Sequence, residues 1–339
     1  MARYHHYVPR FYLSHFADVS MIQQVDLRYG NSRKKSIKKV AGLDDFYAIP
    51  DEEDPHILEK EFFGGIETKA APIFDSVVNQ DSWPLPADDR QMLAVYLAVQ
   101  FLRGVDQRDN QTETASLLMR LQLAAEGRDA FIGNVFGDSV EFPEHTVDEL
   151  WNEIVIEGKD HFAVTPYGHL KLLGGSLEEI IPYFIRRPWI LVRFNRKTLL
   201  TCDAPVSLIP HPDSEPHMGV GLMTSHSILF PISRRVGLML GDPMPYIERN
   251  VAGEDIQVGK FDSSTPGTTA VAGSFNAATT RNAHRYIFHH PEDRHLLPDA
   301  LPAERASTIE AVGAEGMIRS LAEQGGFSLE GDPDAPPVR

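Results

Sequence analysis

The 339-residue chain contains a single cysteine, Cys202. No intrachain disulfide can form, so a stapled secreted scaffold is excluded and a cysteine-rich zinc module with it. Long apolar runs are missing too. The longest near-apolar stretch, Met92 to Leu102, is broken by Gln100 and falls well short of the roughly 20 residues a membrane-spanning helix needs. Basic charge is scarce: 32 Lys+Arg stand against 48 Asp+Glu, a formal net charge of −16, which argues against a coat-like, non-specific nucleic-acid binder. There is no G-x-x-x-x-G-K-[ST] loop, no G-x-G-x-x-G turn and no H-E-x-x-H helix. The opening MARYHHYVPRFYL has neither the apolar stretch nor the cleavage site of a secretory leader. These absences set the expectation of a cytoplasmic protein with no membrane partner.

What is present is a globular composition, 42% hydrophobic and 24% charged, rich enough in apolar residues to exclude a disordered chain. Its charge is uneven. Residues 1–40 hold eight Lys/Arg against Asp18 and Asp26, a net +6, which leaves −22 for the remainder.

The opening reads as extended pieces and turns. Val25 to Leu27 begins a strand, Tyr29-Gly30-Asn31-Ser32 signals a turn, and Arg33 to Lys39 fits an exposed strand or loop. A helical period starts near His56 with Leu58, Phe62, Ile66, Ala70 and Ile73. After Trp83-Pro84-Leu85-Pro86, a helix apolar around most of its circumference is expected over about 88–108, the pattern of a central core helix. A third helix follows over about 112–125. Two S/T-x-x-E boxes, Thr146 to Glu149 and Ser176 to Glu179, predict helix starts. From Trp189 the pattern turns to short β-branched and aromatic runs at 189–194, 198–201, 227–230 and 236–240. Further helices are expected over about 276–286 and 303–324. The fold class is α+β: a helical first half packed with a small, mainly antiparallel sheet in the second. The organisation expected is a single domain over 1–297 with its basic segment at 1–40, a C-terminal helix over 298–324 and a disordered tail at 325–339.

Four polar constellations carry chemical content. His5 and His6, followed by Arg10, combine imidazoles able to transfer protons near neutrality with a planar fork for an anionic oxygen; the alternative is a leader whose histidines hydrogen-bond locally. Tyr96, Gln100, Arg103 and Gln107 share one face of the apolar helix, either lining a polar pocket or forming its wet side. Asp203, in Thr201-Cys202-Asp203-Ala204-Pro205, is a base or metal ligand at a strand end, or an Asx-type turn, and Ser233 is a candidate partner. Asn276 with Arg281, Arg285 and Tyr286 is a contact set, with an N-cap as the other reading of Asn276.

His5 to Leu13 resembles the opening of a large, mostly bacterial domain-of-unknown-function family, numbered forty-two thirty-eight. Glu59 to Pro72 looks like its helix with paired glutamates, and Tyr96 to Arg103 like its FIALQFLRTP helix. Leu200 to Pro205 is similar to its strand end, where this chain has Cys202 and Ala204 in place of Ser and Asn. Phe230-Pro231-Ile232-Ser233 and Phe275-Asn276 with Arg285-Tyr286 complete the series. The resemblance implies a shared fold and supplies no activity.

Polar residues in widely separated motifs are expected if those motifs meet at one pocket. The expectation is an enzyme acting on a phosphate-containing substrate, a nucleotide or nucleic-acid phosphodiester, by hydrolysis. His6 is the general acid/base with His5 assisting; Arg10 and Arg103 hold phosphate; Asp203 orients a histidine or binds a divalent metal ion. Gln100, Ser233, Asn276 and Arg285 contact substrate. The alternatives are a non-catalytic module that binds an anion or a partner, or a toxin or antiviral effector.

Overall fold

Residues 4–49, 54–127, 131–133, 144–158, 164–215, 219–305 and 314–324 are described by a computed structural model. The basic N-terminal segment is woven into sheet. Tyr4–His6 (β1) pairs antiparallel with a later strand, Gly42–Asp44, setting His5 opposite Leu43 and His6 opposite Gly42. A Cβ at Gly42 would stand 2.6 Å from the Tyr4 ring and 2.7 Å from the His5 carbonyl, so only glycine permits this approach. Between these strands come the short helix Arg10–Ser14, entered through Pro9, and the hairpin Met21–Asp26 (β2) and Asn31–Ser36 (β3). Gly30, at φ +62°, makes the turn. Gly42–Asp44 is β4.

Helical structure begins where the 3.6-residue period does. A π turn at Leu58–Phe63 runs into the helix Gly64–Asn79. The helix Ala87–Leu102 follows with Leu93, Ala94, Leu97, Ala98 and Val99 buried; its apolar circumference places it centrally. It stops at Leu102, short of the expected 108, and a new helix runs from Val105 to Glu126. Between them the Asp106 carboxylate lies 2.2 Å from where a Gly104 Cβ would be, so a side chain there would have to displace that carboxylate. Glu144–Trp151 and Pro166–Ile185 are also helical. Neither S/T-x-x-E box starts a helix. Thr146 and Ser176 lie inside these two helices, the second of which begins at Pro166, where proline has no donor to lose.

The second half supplies Trp189–Arg193 (β5), Thr201–Cys202 (β6), Ser207–Ile209 (β7), Ser227–Ser233 (β8), Val236–Leu240 (β9), Ser263–Pro266 (β10) and Tyr286–His289 (β11). One five-stranded sheet has the order β10-β5-β9-β8-β7, and a four-stranded sheet the order β3-β2-β11-β6. Among the described residues all pairings in these sheets are antiparallel except β10 with β5. The fold is α+β. The first half is not purely helical, however: β2 and β3 are completed by strands some 180 to 260 residues away in sequence. The expected helix over 276–286 is instead Thr269–Asn282, capped by the Thr268 side chain, and Tyr286 opens β11.

The chain divides into two compact units, residues 1–108 with 166–306 and residues 109–165 with 307–339. The first holds the main core, including Tyr12, Phe74, Leu97, Trp189, Phe230 and Phe275. The second has its own, built from Leu123, Phe131, Trp151, Val155, Ile318 and Ala322. The C-terminal helix Ala314–Gln324 thus shares a core with residues from the middle of the chain. The expected tail at 325–339 lies outside the described residues, and no helix among those described is long and apolar enough to cross a membrane.

Candidate functional site

Arg103 is the hub of the polar residues near the N-terminus. It ends the central helix with its side chain 1% exposed. Its Nε donates to the Tyr7 carbonyl at 2.9 Å, and one terminal nitrogen donates to the His6 carbonyl and to Glu67 Oε1, both at 3.0 Å. Its guanidinium lies 5.1 Å over the Phe63 ring. Gln100, one turn earlier, donates from Nε2 to the same Tyr7 carbonyl at 3.0 Å. Tyr47 closes the arrangement by donating its hydroxyl to the Arg103 carbonyl at 2.8 Å. The central helix therefore holds the opening motif by its backbone carbonyls.

Around this hub stand four buried atoms with no hydrogen-bond partner among the described residues: His6 Nε2, Glu59 Oε2, Tyr96 Oη and Gln100 Oε1. Buried polar atoms are ordinarily paired, and leaving one unpaired costs about 1–3 kcal/mol. Burial pushes the Glu59 carboxyl up to about 7; Glu67 adds to the effect, while Arg103 and the His6 backbone N–H oppose it. Burial drives the His6 imidazole down to about 4, reinforced by Arg10 and Arg103 and opposed by backbone carbonyls at Ile37 and Lys38. At neutral pH the His6 imidazole is thus uncharged and the Glu59 carboxyl, which meets the His6 backbone N–H, is near half-ionisation. The Tyr96 hydroxyl is raised by burial, with Arg103 pulling the other way.

Glu59 and Glu67 belong to the helix that carries the family-like paired glutamates. Eight residues on a regular α-helix leave two side chains about 80° apart. Here Glu59 sits in the π turn, which fits more residues into a turn; this reduces the offset and aims both carboxyls at Arg103. A strict 3.6-residue period hides that convergence.

The remaining expected site residues have different surroundings. His5 is fully buried; its Nδ1 accepts the Tyr47 backbone N–H at 2.9 Å and its Nε2 lies 2.9 Å from His56 Nδ1. With Nδ1 accepting, the proton belongs on Nε2, so His5 donates to His56. Burial and the neighbouring His56 lower its pKa. Arg10 is exposed at the start of its helix, where its charge reaches His6.

Asp203 is buried and accepts three backbone N–H groups, from His284 at 2.8 Å and from Arg285 and Tyr286 at 2.7 Å. Burial pushes it up to about 6 against the pull of those donors. Both carboxylate oxygens are occupied in joining the end of helix Thr269–Asn282 to β11, which corresponds to the turn reading. Cys202 donates to the Ala204 carbonyl at 3.1 Å, and burial raises its thiol well above the ordinary value, so it stays protonated and is no nucleophile. Ser233 accepts the Arg235 N–H in the β8–β9 turn. Asn276 accepts from Leu200 N at 2.8 Å and donates to the Thr198 carbonyl at 3.1 Å; it is a mid-helix clamp on the approach to β6, and the N-cap is Thr268. Arg285 pairs with Asp26 at 3.1 Å and covers the Tyr286 ring at 4.9 Å. Among the described residues no group of three or more His, Cys, Asp or Glu is placed to hold a metal ion.

Of the expected residues, His6, Gln100 and Arg103 meet, with Arg10 at the margin. Glu59, Glu67 and Tyr96 complete that group, and of these Tyr96 was legible as the start of the polar face of the central helix.

An α+β protein whose N-terminal His-Arg motif is clamped onto a central helix is the class defined by this fold and site. The chain belongs to the family described as Protein of unknown function (DUF4238), whose profile matches residues 4–293. No curated protein and no solved structure matches it.

Proposed function

We propose that the cluster around Arg103 is a catalytic site and that this chain is an enzyme hydrolysing a phosphate-containing substrate, a nucleotide or nucleic-acid phosphodiester. The observation that carries this reading is the set of four unpaired buried atoms on His6, Glu59, Tyr96 and Gln100. Groups of this kind are what a site keeps for a ligand or a reacting water.

The roles follow from charge and proton state. Glu59, near half-ionisation at neutral pH, takes a proton from water as its oxygen attacks phosphorus. The bond from phosphorus to the leaving oxygen breaks, and that oxygen takes a proton from His6. An arriving phosphate anion favours the imidazolium form and so raises the low His6 pKa. Arg10, exposed and next to His6, attracts the anion. Arg103, its donors committed to Tyr7, His6 and Glu67, positions the motif that bears His6. A non-catalytic reading is favoured by that same clamp, whose evident effect is to fasten the N-terminal segment.

The test is turnover of bis(p-nitrophenyl) phosphate and of labelled oligonucleotides by the full chain. Glu59→Gln and His6→Ala should each lower kcat by at least about 100-fold, in the range general acid–base groups contribute, and Arg10→Ala should act mainly on KM. Turnover that persists in Glu59→Gln sinks the assignment, as does wild-type protein inactive on every nucleotide and phosphodiester offered.

A further inference from the structure

The hairpin β2–β3 carries a second polar concavity. Pairing sets Gln24 opposite Arg33, Asp26 opposite Asn31 and Ile22 opposite Lys35, so Asn31, Arg33 and Lys35 share the sheet face of Gln24 and Asp26. With Tyr29 and Tyr286 these residues, Ile22 excepted, line a cavity of about 140 Å³. At roughly 30 Å³ per water in the liquid, that is space for one part of a ligand, such as a phosphoryl group or a base edge, with the remainder standing outside the cavity.

Three features give the cavity a ligand chemistry. Gln24 is 7% exposed, lines the cavity, and its Oε1 has no hydrogen-bond partner among the described residues. Arg33 and Lys35 have no ion-pair partner among the described residues, whereas Lys34, on the opposite face, pairs with Asp18 at 3.6 Å. The carboxylate within, Asp26, is already met by Arg285 at 3.1 Å and by the Arg28 N–H, so the lining carries excess positive charge. Tyr29, also in the lining, is 66% exposed, with the Arg285 guanidinium 6.0 Å from its ring centroid on one side. Tyr4, which the His6 ring meets edge-on at 5.1 Å, is within electrostatic reach of Tyr286, one of the lining residues.

We infer that this cavity is a subsite for a nucleoside phosphate unit. Arg33 and Lys35 hold the phosphate, the Gln24 amide meets the donor–acceptor edge of the base, and Tyr29 stacks on it. The inference deepens the proposed function and rests on it for the link to His6. The unit can be a free nucleotide or one residue of a single strand, since the recognising chemistry is the same.

Binding of 5′-AMP, ribose 5-phosphate and inorganic phosphate is measured by calorimetry on the full chain, and that of a labelled single-stranded oligoadenylate by anisotropy. AMP or the oligonucleotide should bind at least tenfold more tightly than inorganic phosphate; the tighter of the two identifies the source. Arg33→Ala with Lys35→Ala should weaken both at least tenfold, and Arg33→Lys with Lys35→Arg should largely restore them. Gln24→Leu should weaken AMP and leave ribose 5-phosphate unchanged. Equal binding by the double alanine variant overturns the subsite, as does wild-type protein that prefers neither ligand over phosphate. Glu59→Gln separates the two readings. Binding that depends on Arg33 and Lys35, with no Glu59-dependent turnover, leaves the subsite standing and removes the enzyme. Turnover that depends on Glu59, with binding indifferent to Arg33 and Lys35, does the reverse.

Discussion

Glu59 and His6 pull stability in opposite directions with pH. The folded Glu59 carboxyl titrates near 7 against an ordinary value of 4.5. Between those values the unfolded chain has released the proton and the folded chain keeps it, so stability falls as pH rises through that window, by on the order of 2–3 kcal/mol. Glu59→Gln removes the loss: its melting temperature should exceed that of wild type at pH 8, the two converging near pH 4.5. On the proposed function the same variant should lower kcat by at least about 100-fold. His6, held near 4 against 6.5, works the other way. The folded imidazole stays neutral while the unfolded one charges, so its contribution is present above 6.5 and lost as pH falls towards 4. His6→Gln should flatten that acid limb in pH-dependent melts. Arg103→Ala should be severe, about 3–5 kcal/mol, since it deletes one partner of a buried network and strands the Tyr7 and His6 carbonyls; chemical denaturation reads this directly.

The elements that place these residues are joined by side chains in unexpected roles. Asp203 holds three consecutive backbone donors where helix Thr269–Asn282 turns into β11. Asp203→Ala should cost at least about 3 kcal/mol, since each stranded donor carries its own desolvation penalty; an effect below about 1 kcal/mol in urea unfolding would refute the turn role. Gly42→Ala should displace β1 from β4, because the new methyl group meets backbone as well as the Tyr4 ring. Since β1 carries His5 and His6, turnover should fall more steeply than the melting temperature.

For the whole molecule, a second unit with a core of its own means two separable responses to truncation. Ending the chain after residue 306 removes Ile318 and Ala322 from the second core, a loss of a few kcal/mol by apolar burial. Amides in 147–156 should then exchange faster, while β8 and β9 in the first unit keep their protection. Hydrogen exchange with mass spectrometry distinguishes this from a single cooperative fold, in which both regions lose protection together.

Local chemistry was legible in the sequence where it depends on near neighbours. The α+β class, the central helix with Leu93 and Leu97, the strands near 189 and 236, the Gly30 turn and the basic opening segment all follow from short-range periodicity and turn propensity. His6 stood out as an imidazole with arginine nearby, and Gln100 and Arg103 because polar groups on an apolar helix demand partners. Tertiary structure alone decided which partners they found. The π turn brought Glu59 towards Glu67 against the regular helical period, strands distant in sequence completed the sheet over the basic hairpin, and the middle and the end of the chain joined in a second core. Asp203 and Asn276, chemically suited to a site, were instead spent on backbone donors and acceptors. A side chain's type limits what it can do, but the backbone groups and burial around it determine which of those things it does.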